Sequence, residues 1–277
     1  MSPIKEPTFF GAADILSSPE RTLTLRHAVH NRGPLSRYLS GLHPRGPLVL
    51  EWDDYLKLFH NVRDEIAIGE ASVSYLWQPS AAEAIRARVP GARLIFILRD
   101  PAERLFSHYV GISWLQPRET FREWFLTARN AGGLSGRMVA VGRYATHMQR
   151  FLERFPRDQI CVYLYDDYRG DPRAALRHLF AFLGVDPHSP VDLSRRENEA
   201  AVPRFPALHA LRTRLIGARP LAPWLPEGLR RTLLKLYQRA PTVVLDPADR
   251  AMINAYYRDE ILRAADLIGR DLSAWLS

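Results

Sequence analysis

The sequence predicts an α/β fold, a parallel sheet flanked by helices, and three observations carry this reading. Short runs rich in isoleucine, phenylalanine and valine stand at 65–71 ("EIAIGEA"), 93–98 ("RLIFIL") and 160–164 ("ICVYL"). Segments with helical spacing of apolar residues separate them. The third run is apolar on both faces, as a central parallel strand should be.

The elements follow in order. A helix over Ala81–Arg88 lies between the first two runs, which makes a strand, helix, strand unit with a parallel crossover. A second helix follows Asp100. A third carries Phe121, Trp124, Phe125 and Ala128, and a fourth carries Tyr144, Met148, Phe151, Leu152 and Phe155 before stopping at Pro156. After the third strand, Asp171 and Pro172 open a helix with Ala175, Leu176, Leu179, Phe180 and Leu183 on one face and Gly184 at its end. From 186 to 202 the chain is polar and irregular. Residues 206–217, 228–239 and 247–269 read as helices between proline-rich breaks. The expectation is one domain over 1–277, with 203–277 its helical C-terminal part.

The 277 residues carry a formal charge of +8, so an anionic partner is favoured: a nucleotide, a nucleic acid, a sulfated glycan or a membrane surface. Lys5, Lys57 and Lys235 are the only lysines among 38 basic residues, a bias that reflects genome composition rather than ligand recognition. No helix-turn-helix or RNA-binding signature is present, which argues against a nucleic-acid partner. One cysteine, Cys161, excludes an internal disulfide, and the nine histidines lack ligand spacing, so no metal site is expected. No apolar run is long enough for a membrane span, and the expected location is cytoplasmic.

The segment richest in chemistry is "RLIFILRDPAERLFSHY", 93–109. A strand ends at Leu98, Arg99 sits at its carboxyl end, Asp100 caps the next helix, Pro101 takes its first position and Glu103 completes a capping box. Ligands of open α/β sheets bind at such strand ends, and a helix amino terminus offers N–H groups to an anion. Arg99 adds a fork, and Ser107 returns to nearly the same helical face with a hydroxyl. One phosphate could be gripped here. The pattern equally fits a capped helix with Arg99 in a salt bridge.

This strand ending in Arg-Asp-Pro, followed by Arg104, Ser107 and Tyr109, resembles the 3'-phosphate-binding segment of sulfotransferases that use 3'-phosphoadenosine 5'-phosphosulfate (PAPS). Further matches occur in the same order. "KEPTFF" at 5–10 is similar to the segment of heparan-sulfate-type and bacterial enzymes that carries the acceptor-activating glutamate, and "GEASVSYL" at 69–76 to their next strand end. "FPRDQICVYLYDDY", "DPRAALRHLFAFLGV" and "IGRDLSAWL" also fit.

The resemblance implies a P-loop-kinase-like sulfotransferase fold and transfer of a sulfuryl group from PAPS to a hydroxyl or amine of a small-molecule, lipid or glycan acceptor. It implies Glu6 as the base, with Lys5 beside it, and Arg99 and Ser107 on the 3'-phosphate. Arg196 closes over the nucleotide and Glu70 faces the acceptor. Taken alone, Glu6 reads as a solvated charge and Glu70 equally as half of a salt bridge. Family members place a strand, a phosphosulfate loop with a lysine, and a helix before the "KEP" segment. No Gly-x-x-Lys-x-Gly-Thr-like run occurs here. The expectation is therefore that Met1 is an internal methionine, with roughly thirty to forty residues upstream. The alternative is a noncatalytic remnant that binds adenosine 3',5'-bisphosphate (PAP) or a sulfated ligand.

Overall fold

A computed structural model describes residues 6–17, 49–112, 119–193, 202–205, 238–239 and 243–277. Lys5, Arg195 and Arg196, and most of the expected helices at 206–217 and 228–239, lie outside them. The chain divides into two compact units, one of 1–99, 143–191 and 257–274, the other of 100–142, 192–256 and 275–277.

The first unit contains helices α1 (Ala12–Ser17), α2 (Trp52–Lys57) and α3 (Ala81–Arg88), strand β1 (Leu94–Leu98) and, after the excursion into the second unit, α7 (Tyr144–Leu152), β2 (Ile160–Leu164), α8 (Tyr165–Gly170) and α9 (Pro172–Leu183). β1 and β2 pair in parallel, in register from Leu94 with Ile160 to Leu98 with Leu164. The β2 face is packed as its sequence predicts, with Ile160, Cys161 and Leu164 buried. In β1, Phe96 and Leu98 are buried, whereas Ile95 and Ile97 are 38% and 58% exposed. Phe96 meets Phe151 of α7 edge-on at 5.0 Å, and Met148, Ile261 and Ala264 complete this core. α9 ends as expected, with Gly184 at φ 76° in the left-handed cap.

The expected strand at 65–71 is not one. The segment enters no ladder, and Ile66 and Ile68 are exposed. Alternation of apolar residues marks a strand only where a neighbouring backbone supplies hydrogen bonds, and no described segment does so here.

The second unit holds α4 (Pro101–Ile112), α5 (Phe121–Ala128) and α6 (Gly133–Ala140). All four apolar positions foreseen on α5 are buried, and Phe121 packs edge-on against Phe106 of α4 at 5.1 Å. α5 begins with a capping box in which Thr120 and Glu123 satisfy each other's backbone N–H groups. Strands β3 (Val202–Pro203) and β4 (Gln238–Arg239) pair antiparallel, so the helix expected to reach 239 gives way to a strand at its last two positions. α10 (Pro247–Ile268) contributes 247–256 to this unit and 257–268 to the first.

Candidate active site

The segment beginning at Glu6 is fixed to the first unit by a set of local contacts. Glu6 and Thr8 both have positive φ, 54° and 57°, on either side of the fully buried Pro7. Neither is glycine. Such conformations cost about 1–3 kcal/mol each and persist where the surroundings over-determine them. Here the Thr8 hydroxyl donates to the Glu6 carbonyl at 3.0 Å, the Thr8 N–H donates to Ser72 Oγ at 3.0 Å, and the Val49 N–H donates to the Pro7 carbonyl at 3.3 Å. Glu6 itself is exposed.

Aromatic packing carries the segment further. Phe9 stacks on Tyr55 at 4.8 Å, Phe10 meets Tyr55 and Tyr75 edge-on at 5.1 and 5.7 Å, and Trp52 stacks on Tyr55 at 5.4 Å. The Phe10 N–H donates to the Tyr75 hydroxyl at 3.3 Å. Gly11 follows, and its carbonyl accepts from Nε2 of the buried Gln78 at 3.1 Å. A Cβ on Gly11 would fall 1.5 Å from Gln78 Oε1, so any larger residue has to displace the Gln78 amide. Asp14 of α1 then accepts from both the N–H and the hydroxyl of Ser80, just ahead of α3.

Beneath this segment lies Glu70. The Ser72 hydroxyl donates to its Oε2 at 3.0 Å, the Tyr75 hydroxyl stands against the carboxylate and favours its charged form, and Oε1 is buried without a hydrogen-bond partner. Burial raises the Glu70 pKa, more than its two hydroxyl neighbours lower it. The phenols of Tyr55 and Tyr75 are also pushed up, first by burial and then by the Glu70 charge, so both stay neutral. Ser72 and Tyr75 were not singled out from the sequence, although both lie within "GEASVSYL".

Arg99 stands at the carboxyl end of β1, as predicted. Its carbonyl accepts from the Tyr144 hydroxyl at 2.8 Å, and its guanidinium lies over the Tyr165 ring, 5.2 Å from the centroid. The expectation of N–H groups at the start of α4 awaiting an anion is corrected. Asp100 Oδ1 accepts from the N–H groups of Ala102 and Glu103 at 2.7 and 3.0 Å, and Arg250 pairs with Asp100 Oδ2 at 2.8 Å and with Glu103. A carboxylate already occupies the place an anion would take. Glu103, expected to complete a capping box, has its N–H on Asp100 and its carboxylate paired with Arg250.

Ser107 lies half-buried on α4. Two other residues of the same motif serve packing. Arg104 donates to the Met138 carbonyl at 2.9 Å, and the Tyr109 hydroxyl donates to the Glu119 carbonyl while its ring packs on Phe121 and Trp124. His108, beside Ser107, is kept below the usual histidine pKa by burial and then by Arg104. Among the described residues no cluster of His, Cys, Asp or Glu could hold a metal, and no helix is long and apolar enough to cross a membrane.

Comparison with known proteins finds sulfotransferases. The model of the sulfotransferase domain family matches residues 85–199, which include Arg99 and Ser107. The human bifunctional heparan sulfate N-deacetylase/N-sulfotransferase 3 is 26% identical over 234 residues, covering 80% of this chain and 25% of that protein. Human carbohydrate sulfotransferase 15 is 26% identical over 267 residues, covering 76% of this chain and 46% of the relative. The chain thus spans between a quarter and a half of the length of these relatives. The crystal structure of a sulfotransferase from Alicyclobacillus acidocaldarius superposes with a TM-score of 0.64 at 26% identity, covering all of this chain and 87% of that one. Residues 85–199 thus match the sulfotransferase domain family, and the chain has the α/β fold of a solved sulfotransferase.

Proposed function

We propose that the protein transfers a sulfuryl group from PAPS to a hydroxyl or amine on a glycan acceptor. The observation that carries the donor half is Arg99, a cation at a strand's carboxyl end within the family match. A guanidinium seated over an aromatic ring is pre-organised to present its fork to a phosphate. The 3'-phosphate end of PAPS therefore fits the residues present. Ser107 is assigned to that phosphate by the resemblance alone, and Lys5 and Arg196, outside the described residues, keep the roles the resemblance gives them. No Gly-x-x-Lys-x-Gly-Thr-like run for the 5'-phosphosulfate occurs in the 277 residues.

The acceptor half rests on Glu6. As the acceptor's oxygen or nitrogen would bond to sulfur, the bond from sulfur to the phosphate oxygen of the departing PAP would break, and the acceptor's proton would pass to an exposed carboxylate on a fixed backbone. A glycan acceptor is supported by the named activities of the relatives on heparan sulfate and carbohydrate. The lone buried Cys161 supports a reducing, cytoplasmic setting. Titration calorimetry with PAP tests the donor assignment. The wild type should bind, and Arg99→Ala should weaken binding about tenfold or more, the value of a charge-assisted hydrogen bond. No binding, or binding indifferent to Arg99, would overturn it.

A further inference from the structure

One hydrogen-bond chain leaves the segment after Glu6 and ends on a buried carboxylate, and the phenol that accepts from a second backbone N–H stands against the same group. The Thr8 N–H donates to Ser72 Oγ, and the Ser72 hydroxyl donates to Glu70. The Phe10 N–H donates to the Tyr75 oxygen, and the Tyr75 hydroxyl stands against Glu70. Each hydroxyl faces an acceptor-only anion and therefore turns its proton inward and its lone pairs toward the backbone N–H groups. The anion also polarises both hydroxyls, which strengthens their acceptance from the backbone.

We infer that Glu70 is a positioning residue that acts through Ser72 and Tyr75 to hold the left-handed Glu6–Pro7–Thr8 turn and so aims the Glu6 carboxylate. This assignment rests on Glu6 being the base and replaces the acceptor-facing role the resemblance implies for Glu70. Its geometry is selective. Thr8 and Phe10 are the second and fourth residues after Glu6, so the two hydroxyls clamp the backbone on the near side of the base at two points. Glu70 does not touch Glu6, and its buried Oε1 offers nothing to solvent.

Amide hydrogen exchange, resolved at Thr8 and Phe10 in the full chain, tests this without an acceptor. Glu70→Gln, which keeps size but removes the charge, should speed exchange at both amides about tenfold, as expected for losing hydrogen bonds to an ion. Amides of β1 should be unchanged. Ser72→Ala should release Thr8 and leave Phe10 protected; Tyr75→Phe should do the reverse. Glu70→Asp, a shorter anion, should recover part of the protection. Unchanged exchange at both amides in Glu70→Gln would overturn the inference. So would equal release of both amides by each single-hydroxyl variant, because that pattern means general loosening. If Glu70→Gln does not fold, the two hydroxyl variants decide alone.

A kinetic arm separates this inference from the reading on which it rests. With PAPS and N-deacetylated heparan sulfate as probes, Glu70→Gln should lower kcat while leaving KM for PAPS unchanged. Full transfer by Glu6→Gln would remove Glu6 as base, yet the exchange pattern would still report whether Glu70 holds the turn.

Discussion

At the scale of single residues, the most constrained positions are those whose backbone is forced. Glu6 and Thr8 adopt φ values that glycine would adopt more cheaply, and the hydrogen bonds of Thr8 hold this backbone in place. Gly11 is the opposite case, a position with no room for a Cβ because Gln78 fills it. Gly11→Ala should cost about 1–3 kcal/mol, the usual range for overpacking a filled site. Urea unfolding of the two proteins measures it, and an unchanged midpoint would show that Gln78 can move aside. Glu6 and Arg99 were legible as candidates because each sits in a quotable motif. Arg250 was not: it meets Asp100 across 150 residues of sequence and leaves no local signal.

At the scale of elements, the start of α4 admits two readings in the sequence. Its pattern fits either a phosphate site or a capped helix, and the N–H groups of Ala102 and Glu103 are spent on Asp100, the cap the sequence predicts. Asp100→Ala should lower stability by about 1–2 kcal/mol, the cost of losing an N-cap. Asp100→Asn should cost less, because an amide oxygen still accepts from the same N–H groups. Chemical denaturation of both variants checks the order, and equal losses would assign the effect to the ion pair with Arg250. The helices with strong apolar stripes, α5 and α7, were legible because burial and spacing agree. α6 was missed because Gly133 and Gly136 look like breakers, yet Gly136 lets its backbone approach the Ala131 carbonyl, where a Cβ would fall 1.9 Å away. The run at 65–71 misled in the other direction, because apolar alternation says nothing of whether a partner strand exists.

At the scale of the whole molecule, the sequence order of motifs carried the family assignment, and the family match, the relatives and the solved structure agree with it. What no sequence pattern exposed is how the "KEPTFF" and "GEASVSYL" segments interlock. They lie some sixty residues apart and are joined by backbone-to-hydroxyl bonds that any serine or tyrosine could make. The central claim is that this chain is a PAPS-using sulfotransferase with Glu6 as its base. The most direct measurement is transfer of label from sulfur-35 PAPS to N-deacetylated heparan sulfate by the wild type and by Glu6→Gln. The account predicts label on the glycan with the wild type and a loss of about 10² to 10⁴ in rate with the variant, the range for removing a general base. No transfer by the wild type, or equal transfer by both proteins, would contradict it.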